Sequence, residues 1–252
     1  MKNQAGSALI MVLMILLVIT VVGIMAIRSG LTSLNIATNA QINSLLFQTS
    51  DAAYREFERV FALGKTGALS GIGYATLAGN QGKEINFCFR PKSNDLLAGN
   101  IFKSTILVAG TTDDAAMEGA DGGGLCDLTA STDFISGRDA VMTQLTVVMP
   151  LDKAAESRPF DLAPKKTSTI TAKIEDVKRV RVFATSILPG LANSDLTTVQ
   201  NACMKKRIID DLDVEKSSKE TLPDCLARYG IPYKSQVHEY QLTTLITQTA
   251  IS

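Results

Sequence analysis

The sequence predicts an α+β protein in which one long N-terminal helix packs on an antiparallel β-sheet domain. Two observations carry this prediction. The first is an uncharged apolar run from Ala8 to Ile27, which continues as an amphipathic helical pattern to about Phe61. The second is a series of short β-branched segments, separated by turn residues, in the rest of the 252-residue chain.

The first half of the helix is long enough to cross a bilayer. About twenty residues at about 1.5 Å per residue span about 30 Å, the thickness of one hydrocarbon core. A cleaved secretory signal would have a shorter apolar region and a small-residue cleavage site, whereas Arg28-Ser29-Gly30 follows here. We therefore predict a single membrane-spanning anchor and an exported C-terminal domain.

The second half of the helix is amphipathic. Apolar residues recur at near-helical spacing from Leu31 to Val60, where a simple anchor would lead into a flexible linker. Gly23 and Gly30 each cost the helix about 1 kcal/mol relative to Ala and mark points of bending. Beyond the helix, the predicted strands are 84–89, 104–108, 140–149, 168–174, 177–186 and 236–250. In the last strand, the expected core residues are Val237, Tyr240, Leu242, Leu245 and Ile246.

The composition favours a structural protein over an enzyme. The 25 Lys and Arg residues balance the 25 Asp and Glu residues, so no net charge attracts nucleic acid. The chain has one histidine, His238, and strand alternation would place its neighbour Glu239 on the other face. No hydrolase or metalloprotease motif occurs. We predict no catalytic residue, no cofactor and no enzyme activity.

Four cysteines lie beyond the anchor, without the C-x-x-C spacing of a zinc site: Cys88, Cys126, Cys203 and Cys225. An even number in an exported domain favours disulfides, and four cysteines allow three connectivities. The two sequence-local pairs, Cys88 with Cys126 and Cys203 with Cys225, are favoured. Four reduced thiols in a cytosolic domain are the alternative.

Two charged stretches are weaker candidates for binding sites. Four carboxylates in a Gly-rich stretch could hold Ca²⁺, although their spacing fits no EF-hand and a solvated loop is the simpler interpretation: Asp113, Asp114, Glu118 and Asp121. A basic stretch from Lys165 to Arg181 could contact DNA. Acidic residues interrupt it and no aromatic residues interleave, so charged strand edges are the favoured interpretation.

Four features at the start of the chain form a recognisable pattern. They are Gly6-Ser7-Ala8-Leu9-Ile10, the long apolar run, Arg28 just past it, and the segment LFQTSDAA at 46–53. Together they resemble the N-terminal region of PilX-type minor pilins of the type IV pilus, over roughly residues 1–60. The resemblance implies a pilin-like helix.

The resemblance also implies processing and a domain arrangement. In that family a prepilin peptidase cuts a short basic leader after a glycine, and the new amino terminus is methylated. Carried over, the cut follows Gly6 and Ser7 becomes the first mature residue, where major pilins have phenylalanine. The implied parts are a leader (1–6), a membrane-spanning or filament-core half-helix (7–28), an amphipathic half-helix (29–61) and a periplasmic or extracellular β-rich head domain (62–252).

The resemblance implies a role in pilus assembly through one position at which this chain differs from major pilins. Major pilins have a glutamate at the fifth mature position, thought to neutralise the amino terminus of the subunit added before, whereas this chain has Met11. A carboxylate in hydrocarbon is costly unless paired, so a subunit without a predecessor gains by lacking it. The implied function is priming of assembly in a tip complex with other minor pilins and the major pilin. Such a complex can support a tip adhesin, within a pilus used for adhesion and twitching motility.

Two other functions remain open. The tip pseudopilin of a type II secretion system also lacks this glutamate, but it would carry a larger, mainly helical insert and a calcium site. A single-pass membrane enzyme or sensor would show hydrolase or ligand-binding activity in a soluble fragment.

Overall fold

The computed structural model describes residues 5–62, 71–75, 79–91, 104–110, 114–118, 123–135, 139–150, 174–209 and 219–246. The chain forms two compact units, which we call the stem unit (Met1–Leu45) and the head unit (Leu46–Ser252). The predicted α+β class is confirmed, because a long apolar N-terminal helix precedes a six-stranded antiparallel sheet.

Helix α1 runs from Ala5 to Ala62 and includes both glycines at which bending was expected. The residues of α1 that belong to the head unit bury one face at the three- and four-residue spacing of an amphipathic helix. The buried set is Leu46, Thr49, Ser50, Ala53, Tyr54 and Phe57. The other helices are short: α2 (Gly71–Ala75), α3 (Leu196–Val199) and α4 (Leu222–Arg228).

The sheet contains β1 (Lys83–Cys88), β2 (Thr105–Val108), β3 (Ala116–Glu118), β4 (Met142–Val148), β5 (Ile174–Ile187) and β6 (Tyr233–Ile246). Their order is β3-β2-β1-β4-β5-β6. Five of these strands overlap predicted segments, whereas β3 was not predicted because three exposed residues give no readable alternation. The predicted segment 168–174 lies outside the described residues except for Ile174, which begins β5.

Alternation along the strands creates two cores. Val180, Val182 and Ala184 of β5 lie in the cluster that contains Ala53, Tyr54 and Phe57 of α1. The side chains between them point the other way, so Phe183 and Ile187 belong to a second cluster. The head unit therefore has three layers: the end of α1, the sheet, and a layer of loops and short helices.

Both disulfides belong to the second core. Cys88 is bonded to Cys126 and Cys203 to Cys225, with Cα–Cα distances of 4.7 and 5.6 Å. All four cysteines are at most 4% exposed. The bonds join the two sequence-local pairs that the sequence favoured. Each bond attaches a segment of the layer of loops and short helices, which we call the covering layer, to its neighbours.

One expectation for β6 was wrong. Val237 is 54% exposed, because it lies on the face of β6 turned away from α1, whereas Tyr240 packs on Phe57 with ring centroids 5.2 Å apart. An odd and an even residue of one strand cannot both face the same core. His238 shares the face of Tyr240 and stacks on Tyr54 at 3.9 Å.

Candidate functional site

The stem unit presents a long apolar surface. Its large hydrophobic side chains from Leu9 to Ile27 are between 42% and 69% exposed. Within α1, Leu9–Arg59 contains a span long and apolar enough to cross a membrane. Each square ångström of such surface gains about 25 cal/mol when it leaves water, so this surface favours a bilayer or other apolar helices.

The threonine hydroxyl groups of the stem unit do not oppose this burial. Thr20 donates to the carbonyl oxygen of Leu17 at 2.8 Å, and Thr32 donates to that of Arg28 at 3.0 Å. Thr38 makes the same kind of bond one turn back. Because each hydroxyl already has an acceptor inside the helix, moving it into hydrocarbon does not leave an unpaired donor.

Charge is nearly absent from this surface. Arg28 is the one charged residue between Lys2 and Asp51. Met11 is 66% exposed on α1, and its neutral thioether offers no partner to a charged amino terminus. Gly6 and Ser7 lie in the first turns of the same helix. The stem unit can therefore pack against apolar neighbours, but Met11 cannot make the charge pair of a glutamate.

Hydroxyl groups hold α1 to the sheet inside the head unit. Thr49 donates to Ser186 at 2.9 Å, while Ser50 and Thr143 lie 2.8 and 2.7 Å from the same oxygen. All four residues are buried, with Thr49 the most exposed at 9%. Small side chains let the helix approach the sheet closely, and the hydrogen bonds offset the cost of burying polar groups.

Tyr54 adds a second polar contact between α1 and the sheet. Its hydroxyl donates towards the carbonyl oxygens of Val182 and Gln236, at 2.9 and 2.7 Å, and accepts from the backbone N–H of Ala184 at 3.2 Å. These backbone atoms belong to β5 and β6, so one side chain of α1 engages two neighbouring strands. The helical pattern in the sequence did not predict these contacts. It indicates which face of α1 is buried, but not which residues that face contacts.

The carboxylates considered for calcium are paired with cations where the structure describes them. Asp114 binds Lys206 at 2.8 Å and Arg207 at 2.5 Å, and hydrogen bonds from these two residues lower the pKa of Asp114 below its usual value. Glu118 binds Lys83 at 2.6 Å. Asp113 and Asp121 lie outside the described residues. Asp114 and Glu118, the two described carboxylates, are therefore both engaged in ion pairs.

The two arginines of the basic stretch are also paired. Arg179 and Arg181 of β5 both approach Glu239 of β6, at 3.3 and 3.4 Å. Lys165, Lys166 and Lys173 lie outside the described residues. Cross-strand pairs of opposite charge stabilise a sheet, so these arginines have a structural use.

Two polar contacts in the covering layer had no signal in the sequence. Asp133 is buried and accepts two hydrogen bonds from Arg90, at 2.6 and 2.9 Å, and one from the N–H of Asp127. Gln200 accepts from the N–H of Leu128 and donates to the carbonyl of Cys126, both at 3.1 Å. Their partners are distant in sequence, so only the folded chain reveals them.

Comparison with known proteins finds one similarity, at the N-terminal end of the chain. Residues 5–55 match the family model described as PilX N-terminal. No curated protein and no solved structure matches the chain. The matched family is a pilin family, and pilins are structural proteins rather than enzymes. Residues 5–55 are therefore similar to the N-terminal region of PilX-type pilins.

Proposed function

We propose that this protein is a minor pilin that primes assembly of a type IV pilus as part of a tip complex with other minor pilins. The observation that carries the proposal is the stem unit. Residues 5–55 match the PilX N-terminal family. The helix is also exposed and almost uncharged, and it carries Met11 at the fifth position after Gly6.

Met11 is the reason for a place at the start of the filament. A glutamate there is useful to a subunit that must neutralise the amino terminus of a predecessor, and in hydrocarbon it is costly without that partner. A methionine avoids the cost. The first subunit of a filament has no predecessor to neutralise, so it loses nothing by the exchange.

The proposed life cycle follows from the same helix. A prepilin peptidase removes residues 1–6 after Gly6, and Ser7 becomes the methylated first residue. Residues 7–28 hold the chain in the inner membrane and later join the filament core, residues 29–61 continue the helix, and the β-rich head domain at 62–252 is exported. The head docks other minor pilins and the major pilin, and supports a tip adhesin.

The described head unit supports a pilin over a tip pseudopilin of a secretion system. Within the described residues its helices beyond α1 are short: α4 has seven residues, and α3 with the π-helical segment Gln200–Met204 that follows it has nine. A pseudopilin of that kind is expected to carry a larger helical insert. The two disulfides, both buried, fit a domain that folds in an oxidising compartment.

Deletion of the gene tests the proposal directly. We expect loss of surface pili with an unchanged amount of major pilin in the membrane, and recovery with the wild-type chain. Intact-mass analysis of the membrane-extracted protein should show a chain that begins at Ser7. A Gly6→Val variant is the matched control, because it should remain uncut and fail to restore pili. An uncut wild-type chain in cells with active peptidase would refute the assignment.

The Met11→Glu variant tests the tip position. Restoring the carboxylate should lower the number of pili, because an unpaired acid is then placed at the start of the filament. Met11→Leu is the neutral control and should behave as the wild type. Full piliation with Met11→Glu would place the subunit elsewhere in the filament.

A further inference from the structure

The connectivity of the two disulfides carries a consequence for maturation. Each bridge joins cysteines that are consecutive in the sequence, with separations of 38 and 22 residues. The four cysteines are members of one buried cluster. The wrong pairs would therefore have to form within the same buried region as the native pairs, which are the neighbours in the chain.

Gln200 brings the two disulfide segments especially close. It begins the turn Gln200–Met204, which contains Cys203, and its side-chain amide is hydrogen-bonded to the carbonyl of Cys126 and the N–H of Leu128. Gln200 is 8% exposed, so this contact forms as the second core closes. Among the wrong pairs, Cys126 with Cys203 is the one that both chain order and this contact favour.

Burial limits when an enzyme can act. Cys126, Cys203 and Cys225 are 0% exposed and Cys88 is 4% exposed. Thiol–disulfide exchange needs direct attack of one sulfur on another, so a partner enzyme reaches these sulfurs only before the core closes. A head that enters the oxidising compartment behind its membrane anchor, in the order of synthesis, presents Cys88 and Cys126 before Cys203 and Cys225.

We propose that the head unit is matured by a dithiol oxidase that pairs its cysteines in the order of export, Cys88 with Cys126 and then Cys203 with Cys225, without need of a disulfide isomerase. The inference rests on the proposed export of the head. In each step two thiols lose two protons and two electrons, and the electrons reduce the disulfide of the oxidase to a dithiol. Loop-closure entropy also favours the native pairs, because their sequence separations of 38 and 22 residues are shorter than that of any wrong pair.

The test follows the full chain in cells with the oxidase but without the isomerase, using thiol alkylation and peptide mapping by mass spectrometry. The wild-type chain should carry both native bridges in the same yield as in cells with the isomerase. In the Cys225→Ser variant, the Cys88–Cys126 bridge should form and Cys203 should be alkylated. Mispaired wild-type chains in these cells would overturn the proposal.

The Cys88→Ser variant gives the sharpest result. With Cys88 gone, Cys126 is the first cysteine exported, so the major product should carry a bridge between Cys126 and Cys203 and an alkylated Cys225. A major product with Cys203 bonded to Cys225 and a free Cys126 would show that folding, rather than export order, selects the pairs, and would overturn the proposal.

A pulse-chase measurement on the wild type covers the case in which this variant is degraded. The earliest one-bridge species should contain Cys88–Cys126, with Cys203 and Cys225 alkylated; the reverse order overturns the inference. Native bridges in a chain that does not support pili would refute the proposed function and leave this inference standing. Four alkylated thiols in the wild-type chain would show that the head is not exported to an oxidising compartment. Both the proposed function and this inference would then be refuted.

Discussion

The stem unit and the head unit use apolar residues in opposite ways. From Leu9 to Ile27 the large side chains of α1 are all exposed, whereas further along the same helix Ala53, Tyr54 and Phe57 are at most 2% exposed. The head unit buries its apolar surface against its own sheet and two disulfides. The comparison teaches that the head supplies its own stability, while the stem requires a membrane or neighbouring helices.

The largest expected loss of stability is at one of two phenylalanines of α1 that differ in burial. Phe57 is 2% exposed in the core, so Phe57→Ala should lower the free energy of unfolding of the head by about 3–5 kcal/mol. Phe47 is 54% exposed, and Phe47→Ala should lower it by less than about 1 kcal/mol. Denaturant unfolding of the full chain in detergent measures both. Equal effects would contradict the contrast between the two faces of α1.

The disulfide of the C-terminal segment should rank next. Replacing Cys203 and Cys225 together by serine opens a loop with a sequence separation of 22, which the chain-entropy model values at about 3 kcal/mol. The expected result is a lower unfolding midpoint for the head and unchanged membrane extraction of the stem. Loss of membrane association in this variant would show that the two units depend on one another.

Tyr54 tests the polar contact between α1 and the sheet. Tyr54→Phe keeps the ring but removes the hydroxyl that engages Val182, Ala184 and Gln236, and should cost about 1–3 kcal/mol. Hydrogen exchange at the amide of Ala184 should become faster. Tyr74→Phe serves as the comparison for a partly buried ring packed at the edge of the same core. Equal protection of Ala184 in wild type and Tyr54→Phe would show that the hydroxyl contributes little.

Asp133 should give the head an acid-dependent component of stability. Burial raises the pKa of Asp133, but hydrogen bonds from Arg90 and the N–H of Asp127 outweigh it and leave the pKa below the ordinary value of 3.8. A lowered pKa contributes stability that is present above the unfolded value and is lost as the pH falls through the folded value.

The Asp133→Asn variant makes that component measurable. Unfolding of the full chain at several pH values below about 5 should show a shallower loss of stability in the variant than in the wild type. Near neutral pH the variant should be less stable, because the ion pair with Arg90 is gone. An identical acid slope in both proteins would mean that other carboxylates carry the effect.

The smallest effect is expected at the edge of the sheet. Lys83 and Glu118 form a pair whose side chains are 21% and 49% exposed. Glu118→Gln should change the stability of the head by about 0.5 kcal/mol or less, and the difference should shrink as salt is added. A large, salt-independent loss would show that this pair is needed to hold β3 in place.

Much of the fold was readable from local patterns. The apolar run and the period of the following residues predicted α1 to within a residue of its end at Ala62. Alternation located five strands, but it could not assign both Val237 and Tyr240 correctly, since a strand pattern does not say which face is covered. The candidate site was partly predicted: the stem follows from its residues, whereas Tyr54 and Gln200 act through partners distant in sequence.

The sequence by itself determined the long apolar helix, the absence of a carboxylate at Met11 and the α+β class, because these depend on periods and residue types within short segments. The tertiary structure alone decided which atoms meet. Gly124 shows why: a Cβ there would lie 2.2 Å from the backbone nitrogen of Thr105, so the position must remain a glycine. Contacts between distant segments depend on how the whole sheet pairs, and no local pattern contains that information.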